Sequence, residues 1–323
     1  MLSHLRRFLM AALFLVPACP AGAAYTGIVA FGDSLSDTGN VFVGTGGAIP
    51  APPYFAGRFS NGPIWLDYLA NNLGVAPVAP ALLGGTNYAF GQATTGFVPT
   101  LSNPSQVPTF AQQAGMFSAA VGGVAPSSAL YSVWIGGTDI LNILASGVDA
   151  ATAMAQAQGT ANFAAGIIGN LRGIGAHDFL IPLLPDIGKA PGLIAQGPGA
   201  VLAGSTLAAA YNSALLAALA GVQASGANLF IVDTFTLVDA AVANPGAYGF
   251  TNVTDACYLG PLTGGGSGCA TPDQYLFWDS EHPTSAAHAL VAAAAVAAIP
   301  EPSGALVMAL AVATLIRRTR KKA

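Results

Sequence analysis

Short apolar runs alternate with longer alanine-rich stretches along the body of this chain. Each apolar run is continuous, without intervening polar residues, as expected for strands that are buried on both faces of a sheet. The alanine-rich stretches have the length of helices, and Pro283 followed by Thr284 and Ser285 marks the start of the last one. Strands are predicted at 27–31, 130–135, 179–184 and 229–232, and helices at about 62–73, 105–121, 147–173, 199–224 and 284–298.

The repeated order of strand then helix predicts an α/β fold with a parallel sheet between two layers of helices. A helical bundle is the alternative, but the valine and isoleucine runs that end in Gly-Asp or Pro-Asp fit a sheet better. Ligands of such sheets bind at the carboxyl ends of the strands. Ser34, the segment 136–139 and the segment 185–186 each follow a predicted strand, and the loop 279–282 can face the same edge.

The charge of the body argues against one class of partner. The chain has 323 residues, of which 53% are hydrophobic and 7% are charged, which is too apolar for a disordered protein. Between residues 25 and 299 only three residues are basic (Arg58, Arg172 and Lys189), against thirteen carboxylates. Because nucleic-acid binding depends on basic side chains that neutralise phosphates, we expect no nucleic-acid partner.

The first residues have the pattern of an export signal. Arg6 and Arg7 precede the apolar run 8–17, and small residues follow it, which predicts a secretory signal peptide over 1–24. A membrane anchor is the alternative, but ten apolar residues are too few to span a bilayer. Cys19 suggests a lipoprotein site, although the proline before it makes a poor recognition sequence.

The last residues carry three features in a fixed order. Segment 299–323 begins with Ile-Pro-Glu-Pro, continues with an apolar stretch at 304–316 and ends in a basic cluster at 317–322. This order resembles the PEP-CTERM sorting signal of Gram-negative bacteria. The resemblance implies an exosortase-type processing partner, transient membrane association and a destination in the cell envelope or extracellular matrix. A plain C-terminal anchor is the alternative.

Cys257 and Cys269 remain once the predicted signal peptide is removed. In an exported protein two cysteines across a glycine-rich loop are expected to form a disulfide, and two free thiols are the alternative.

Ser34 is the candidate nucleophile, because it lies in a tight polar turn after the first predicted strand. A serine needs an adjacent base and a carboxylate that orients this base. His282 is the candidate base, since Asp279 lies three residues before it in a loop that opens onto a helix. The alternatives are an ordinary turn serine and a histidine at a helix start. The other histidines are expected in the leader, at a helix–strand junction and inside the last helix: His4, His177 and His288.

Five sequence blocks follow one another between residues 25 and 298. They are FGDSLSDTGN at 31–40, GRFSNGP at 57–63 with Trp65, GTNYAFG at 85–91, WIGGTD at 134–139, and Asp279 to His282. In this order they resemble the GDSL, or SGNH, hydrolase superfamily, in its branch of exported lipase-like and esterase-like enzymes. The resemblance implies a flavodoxin-like three-layer α/β/α sandwich and ester hydrolysis, in some members acyl transfer. It makes Ser34 the nucleophile, His282 the general base and Asp279 its orienter, with no metal or organic cofactor.

Two positions depart from the family pattern at the expected oxyanion site. Thr138 stands where the family has an asparagine whose side chain donates to the oxyanion. The glycine whose N–H is the family's second donor corresponds to Gly91 or to Gln92. The backbone N–H of Ser34 is the remaining donor. Loss of one such donor lowers turnover by about 10²–10³-fold.

The sequence therefore predicts an exported serine esterase or lipase whose substrate is an ester of a lipid or an acylated glycan. A surface binding module on a weakened hydrolase fold and an acyltransferase are the alternatives. Arg58 is expected to pair with a carboxylate such as Asp37 or Asp67 and not with an anionic substrate.

Overall fold

The computed structural model of the protein describes residues 25–98 and 107–300. Residues 25–299 form a compact unit. The predicted signal peptide lies outside the described residues, as does the predicted sorting segment beyond residue 300.

The central sheet has four parallel strands in the order β1-β2-β3-β4. Segment 86–90 continues it beyond β1, because Ala30 bridges Asn87 and the N–H of Tyr88 donates to the carbonyl of Ala30 at 2.7 Å. This segment follows β1 in the chain and lies outside it in the sheet, which gives the flavodoxin-like strand order. The strands are β1 (Ile28–Gly32), β2 (Leu130–Trp134), β3 (Asp178–Pro182) and β4 (Asn228–Val232).

Helices cover both faces of this sheet, so the predicted three-layer α/β/α architecture is confirmed. Alternate side chains of each strand enter opposite cores: Phe31 packs in the core shared with α3, α4, α5 and α7, and Ala30 packs in the core shared with α2 and α9. The α-helices are α1 (Asn40–Gly44), α2 (Trp65–Leu73), α3 (Phe110–Ala120), α4 (Gly137–Ala145), α5 (Ala150–Gly173), α6 (Pro191–Ile194), α7 (Pro198–Ala224), α8 (Thr234–Ala243) and α9 (Ser285–Ala298).

Helix α7 is long and apolar enough to cross a bilayer by length and composition alone. Its inward side chains, which include Leu207, Tyr211 and Leu215, are buried in the core against the sheet.

A small irregular region precedes α9 and supports the loop that carries Asp279 and His282. Its strands are β5 (Asn252–Ala256), β6 (Tyr258–Leu259), β7 (Ser267–Gly268) and β8 (Tyr275–Phe277). Strands β5 and β8 pair in parallel, and β6 and β7 pair antiparallel. Cys257 and Cys269 form a disulfide that joins the two ends of the β6–β7 hairpin.

The predicted elements are present, with shifted ends. The helix predicted at 105–121 begins at Phe110 within the described residues, because the hydroxyl of Thr109 accepts the N–H of Gln112 and caps the helix there. Of the two cap candidates for α9, Thr284 is the N-cap and accepts the N–H of Ala287. Helices α1, α4, α6 and α8 lie outside the predicted helices, because each is short.

Candidate active site

Ser34 lies in a tight turn immediately after β1. The carbonyl of Asp33 accepts the N–H groups of Ser36 and Asp37, each at 3.1 Å, and its carboxylate accepts the N–H of Leu35 at 3.1 Å. Ser34 is half-buried and lines a cavity at the carboxyl edge of the sheet. The turn therefore places a serine hydroxyl where a ligand of a parallel sheet is expected.

Asp279 and His282 form a buried pair on the loop between β8 and α9. Oδ2 of Asp279 lies 2.7 Å from Nδ1 of His282, and Oδ1 accepts the backbone N–H groups of Glu281 and His282 at 2.9 and 2.7 Å. An ionised carboxylate in this position holds the proton on Nδ1 and leaves Nε2 as the acceptor. His282 lines the same cavity as Ser34.

The charges around His282 favour its protonated form. Burial lowers its pKa, but the charge and hydrogen bond of Asp279, followed by the charges of Glu281 and Asp33, raise the pKa to about 9. Burial raises the pKa of Asp279, yet His282 and the two backbone N–H groups lower it below its ordinary value. The pair is an imidazole of raised basicity beside a carboxylate that stays ionised.

The two candidates for the second oxyanion donor are neighbours with different settings. The N–H of Gly91 donates to Oδ2 of Asp37 at 2.9 Å. Gln92 has a φ of 65°, a left-handed conformation that glycine adopts without steric cost, and it lines the cavity. This conformation supports Gln92 as the position equivalent to the family's glycine. Thr138, the second residue of α4, lines the same cavity.

Two aspartates of the motif blocks have a structural role. Asp37 accepts four backbone N–H groups, and one of them, from Gly91, ties the nucleophile turn to the loop that holds Gln92. Asp139 accepts the N–H and the hydroxyl of Thr95, both at 2.9 Å. Burial raises the pKa of Asp37 to about 6 and that of Asp139 to about 7. Both side chains are used to join loops and are not available to a substrate.

Sequence reasoning missed two side chains that hold the site. Gln113 of α3 donates to the carbonyl of Gly32 at 2.9 Å and accepts the N–H of Gly32 at 3.0 Å, which fixes the end of β1. The hydroxyl of Tyr54 donates to Oδ2 of Asp279 at 2.7 Å. Neither partner is near in the sequence, so no local pattern indicates these contacts.

Arg58 pairs with Asp67, one of the two predicted partners, through contacts of 2.8 and 3.2 Å. This ion pair joins the loop before α2 to the first turn of that helix.

The cavity has a volume of about 320 Å³ and a largely hydrophobic lining. Its lining includes the exposed residues Gln92 and Glu281 as well as Ser34 and His282. Buried side chains of β8, α8 and α9 also line it, so one cavity joins the serine to an apolar region. These buried residues are Ala241, Leu276, Phe277, Ala287 and Val291. Among the residues that the structure describes, no cluster of histidine, cysteine and acidic side chains could hold a metal ion.

A serine, a histidine and an aspartate lie at the carboxyl edge of a flavodoxin-like sheet, and serine hydrolases use these three residue types. The profile of the GDSL-like lipase/acylhydrolase family matches residues 28–295, and the chain belongs to this family.

Curated relatives differ in activity. A thermolabile hemolysin of Vibrio parahaemolyticus is 30% identical over 82% of this chain, and the match spans 62% of the hemolysin's length. A phosphatidylcholine-sterol acyltransferase of Aeromonas hydrophila is 29% identical over 76% of this chain and 69% of its own. An inactive GDSL esterase/lipase-like protein of Arabidopsis thaliana is 29% identical over 85% of this chain and 72% of its own.

Proposed function

We propose that the protein is an exported serine esterase that hydrolyses carboxylic esters with an apolar acyl chain through an acyl-Ser34 intermediate. The observation that carries the proposal is the cavity itself, whose lining includes both Ser34 and His282 and continues into buried apolar side chains. The hydrogen-bonded Asp279–His282 pair supplies the base that a serine nucleophile needs.

In the proposed reaction the Ser34 hydroxyl attacks the ester carbonyl carbon while Nε2 of His282 takes its proton. The carbonyl oxygen becomes an oxyanion, and the N–H groups of Ser34 and Gln92 and the hydroxyl of Thr138 donate to it. His282 then gives the proton to the leaving alcohol as the C–O bond breaks. Water, activated by the same histidine, hydrolyses the acyl-serine and releases the carboxylic acid.

The volume and the apolar lining of the cavity predict a preference for acyl chains longer than acetyl. A volume of about 320 Å³ lies at the small end of ligand pockets, which span about 300–1,000 Å³. Burial of one methylene is worth about 0.8 kcal/mol, so kcat/KM for nitrophenyl esters should rise up to about fourfold per added carbon until the cavity is full. Steady-state kinetics of the purified protein from acetyl to palmitoyl esters test this. A profile that falls from acetyl onwards contradicts the proposed acyl site.

Thr138 offers a direct test of the oxyanion site. Thr138→Val keeps the shape of the side chain and removes its hydroxyl, so we expect turnover to fall by about 10²-fold with little change in KM. The matched variants Thr138→Ser, which keeps a hydroxyl, and Thr138→Asn, which restores the family's amide, should retain or raise turnover. Equal turnover in the valine and serine variants would remove the Thr138 hydroxyl from the mechanism.

Transfer of the acyl group to an alcohol is the second candidate function. The relative named as an acyltransferase favours it, since the same acyl-serine can be resolved by an alcohol in place of water. Product analysis with an added alcohol separates the two reactions, because only transfer yields a new ester.

We further propose that the protein is exported and sorted to the cell envelope or matrix. The disulfide supports export, because disulfides persist in oxidising compartments. The signal-peptide pattern of 1–24 and the PEP-CTERM-like order of 299–323, with its implied exosortase partner, support the same route.

A further inference from the structure

A tyrosine far from the catalytic segments in the sequence contacts the carboxylate of Asp279. The Tyr54 hydroxyl donates to Oδ2 of Asp279 at 2.7 Å, across 225 residues of chain. Both residues are buried, with relative exposures of 4% for Tyr54 and 6% for Asp279. The contact therefore lies in the protein interior and not in solvent, where a hydroxyl would exchange with water.

The Tyr54 hydroxyl completes the hydrogen bonding of this carboxylate. An ionised carboxylate has about four acceptor positions. Backbone N–H groups of Glu281 and His282 occupy Oδ1, and Nδ1 of His282 occupies one position on Oδ2. Tyr54 fills the fourth, so the carboxylate cannot rotate without breaking a hydrogen bond.

The side chain of Tyr54 is itself held by aromatic rings of the disulfide-bridged region. Its ring meets those of Tyr258 and Trp278 edge-on, at centroid distances of 5.3 and 6.0 Å, and these two rings stack on each other at 5.3 Å. The N–H of Ala51 donates to the carbonyl of Leu262 at 2.7 Å, which joins the Tyr54 loop to the hairpin closed by the disulfide. The N–H of Trp278 donates to the carbonyl of His282 at 2.7 Å. The aromatic cluster that positions the Tyr54 hydroxyl therefore also contacts the loop of Asp279 and His282.

We propose that Tyr54 is a positioning residue that fixes the Asp279 carboxylate, and through it the orientation and basicity of His282. This inference rests on the proposed function of the Asp279–His282 pair. Burial and the charge of Asp279 raise the pKa of Tyr54, so the hydroxyl keeps its proton and donates. The titratable groups that act on the pair are Asp33 beside the nucleophile, Glu281 on the same loop, Tyr54 in the aromatic cluster and His288 on α9.

Tyr54→Phe removes the hydroxyl and keeps the ring that packs on Tyr258 and Trp278. The carboxylate then loses one donor and attracts the imidazolium more strongly. The pKa of His282 should therefore rise by up to about one unit, and the acidic limb of kcat/KM should move up with it. The maximal kcat should fall by about tenfold with KM unchanged, as expected for loss of a hydrogen bond to a charged group. Tyr131→Phe is the matched control, because the Tyr131 hydroxyl donates to the carbonyl of Pro126 in the loop before β2.

Two further measurements decide the proposal independently of folding and of turnover. Incorporation of 3-fluorotyrosine at position 54 keeps the shape and strengthens the donor, so it should lower the pKa of His282. NMR titration of the His282 imidazole reads these shifts without any substrate. The positioning role is overturned if the pKa of His282 stays the same or falls in Tyr54→Phe, whether or not this variant is thermally destabilised. If the wild-type protein shows no Ser34-dependent turnover, the proposed function fails while the titration still decides the role of Tyr54.

Discussion

Ser34→Ala lowers turnover of a medium-chain nitrophenyl ester by about 10⁶-fold if Ser34 is the nucleophile, and leaves the residual rate, about 10³–10⁴-fold above the uncatalysed reaction, that binding and the oxyanion donors supply. The reason is chemical: alanine cannot form the acyl intermediate, and Ser34 is the only serine among the described residues that line the cavity. Hydrolysis is measured by nitrophenol release under matched conditions for both proteins.

Ser36→Ala is the matched control for this substitution. Ser36 lies two residues further along the same turn, and its hydroxyl accepts the indole N–H of Trp65 at 3.3 Å, away from the cavity. We expect this variant to keep wild-type turnover within a few-fold. Retention of more than a hundredth of the activity in Ser34→Ala would assign the nucleophile to another group.

Asp279→Asn should lower kcat by about 10⁴-fold, since an amide holds the imidazole in the wrong tautomer. The same change alters the pH dependence. His282 acts as a base only when neutral, and the charge of Asp279 helps to raise its pKa to about 9. Wild-type kcat/KM should therefore rise through neutral pH, reach half of its maximum near pH 9 and level off above it.

In the Asp279→Asn variant this charge is lost and burial lowers the pKa of His282, so the acidic limb of the residual activity should move to lower pH. Profiles of kcat/KM from pH 5 to 10 test the direction of this shift, with circular dichroism to show that both proteins stay folded. A limb that stays in place would mean that Asp279 does not act on the histidine.

Much of the site could be predicted because its signals are local. Asp279 and His282 are three residues apart in one turn, and the turn sets their contact. Ser34 follows a continuous apolar strand, and parallel topology takes strand ends to one edge. The helical layers on both sides of the sheet follow from the continuous apolar runs of the strands, because the side chains of a strand alternate between two faces and both faces are buried.

The rest depends on tertiary contacts that no local pattern contains. Tyr54 and Gln113 reach their partners across 225 and 81 residues. Gln92 has a left-handed backbone without the glycine that would indicate it. Segment 86–90 pairs with β1 but has no continuous apolar run. It contains buried Asn87, whose side-chain amide donates to the carbonyl of Ser36 and the hydroxyl of Thr38 in the nucleophile turn.

The most direct test of the central claim is covalent labelling with a fluorophosphonate probe, followed by peptide mass spectrometry. An activated serine reacts with this probe, whereas an ordinary surface serine does not. We predict one labelled residue, Ser34, and loss of the label in His282→Ala. No label on the folded wild-type protein, or a label on a different serine, would contradict the proposed serine esterase.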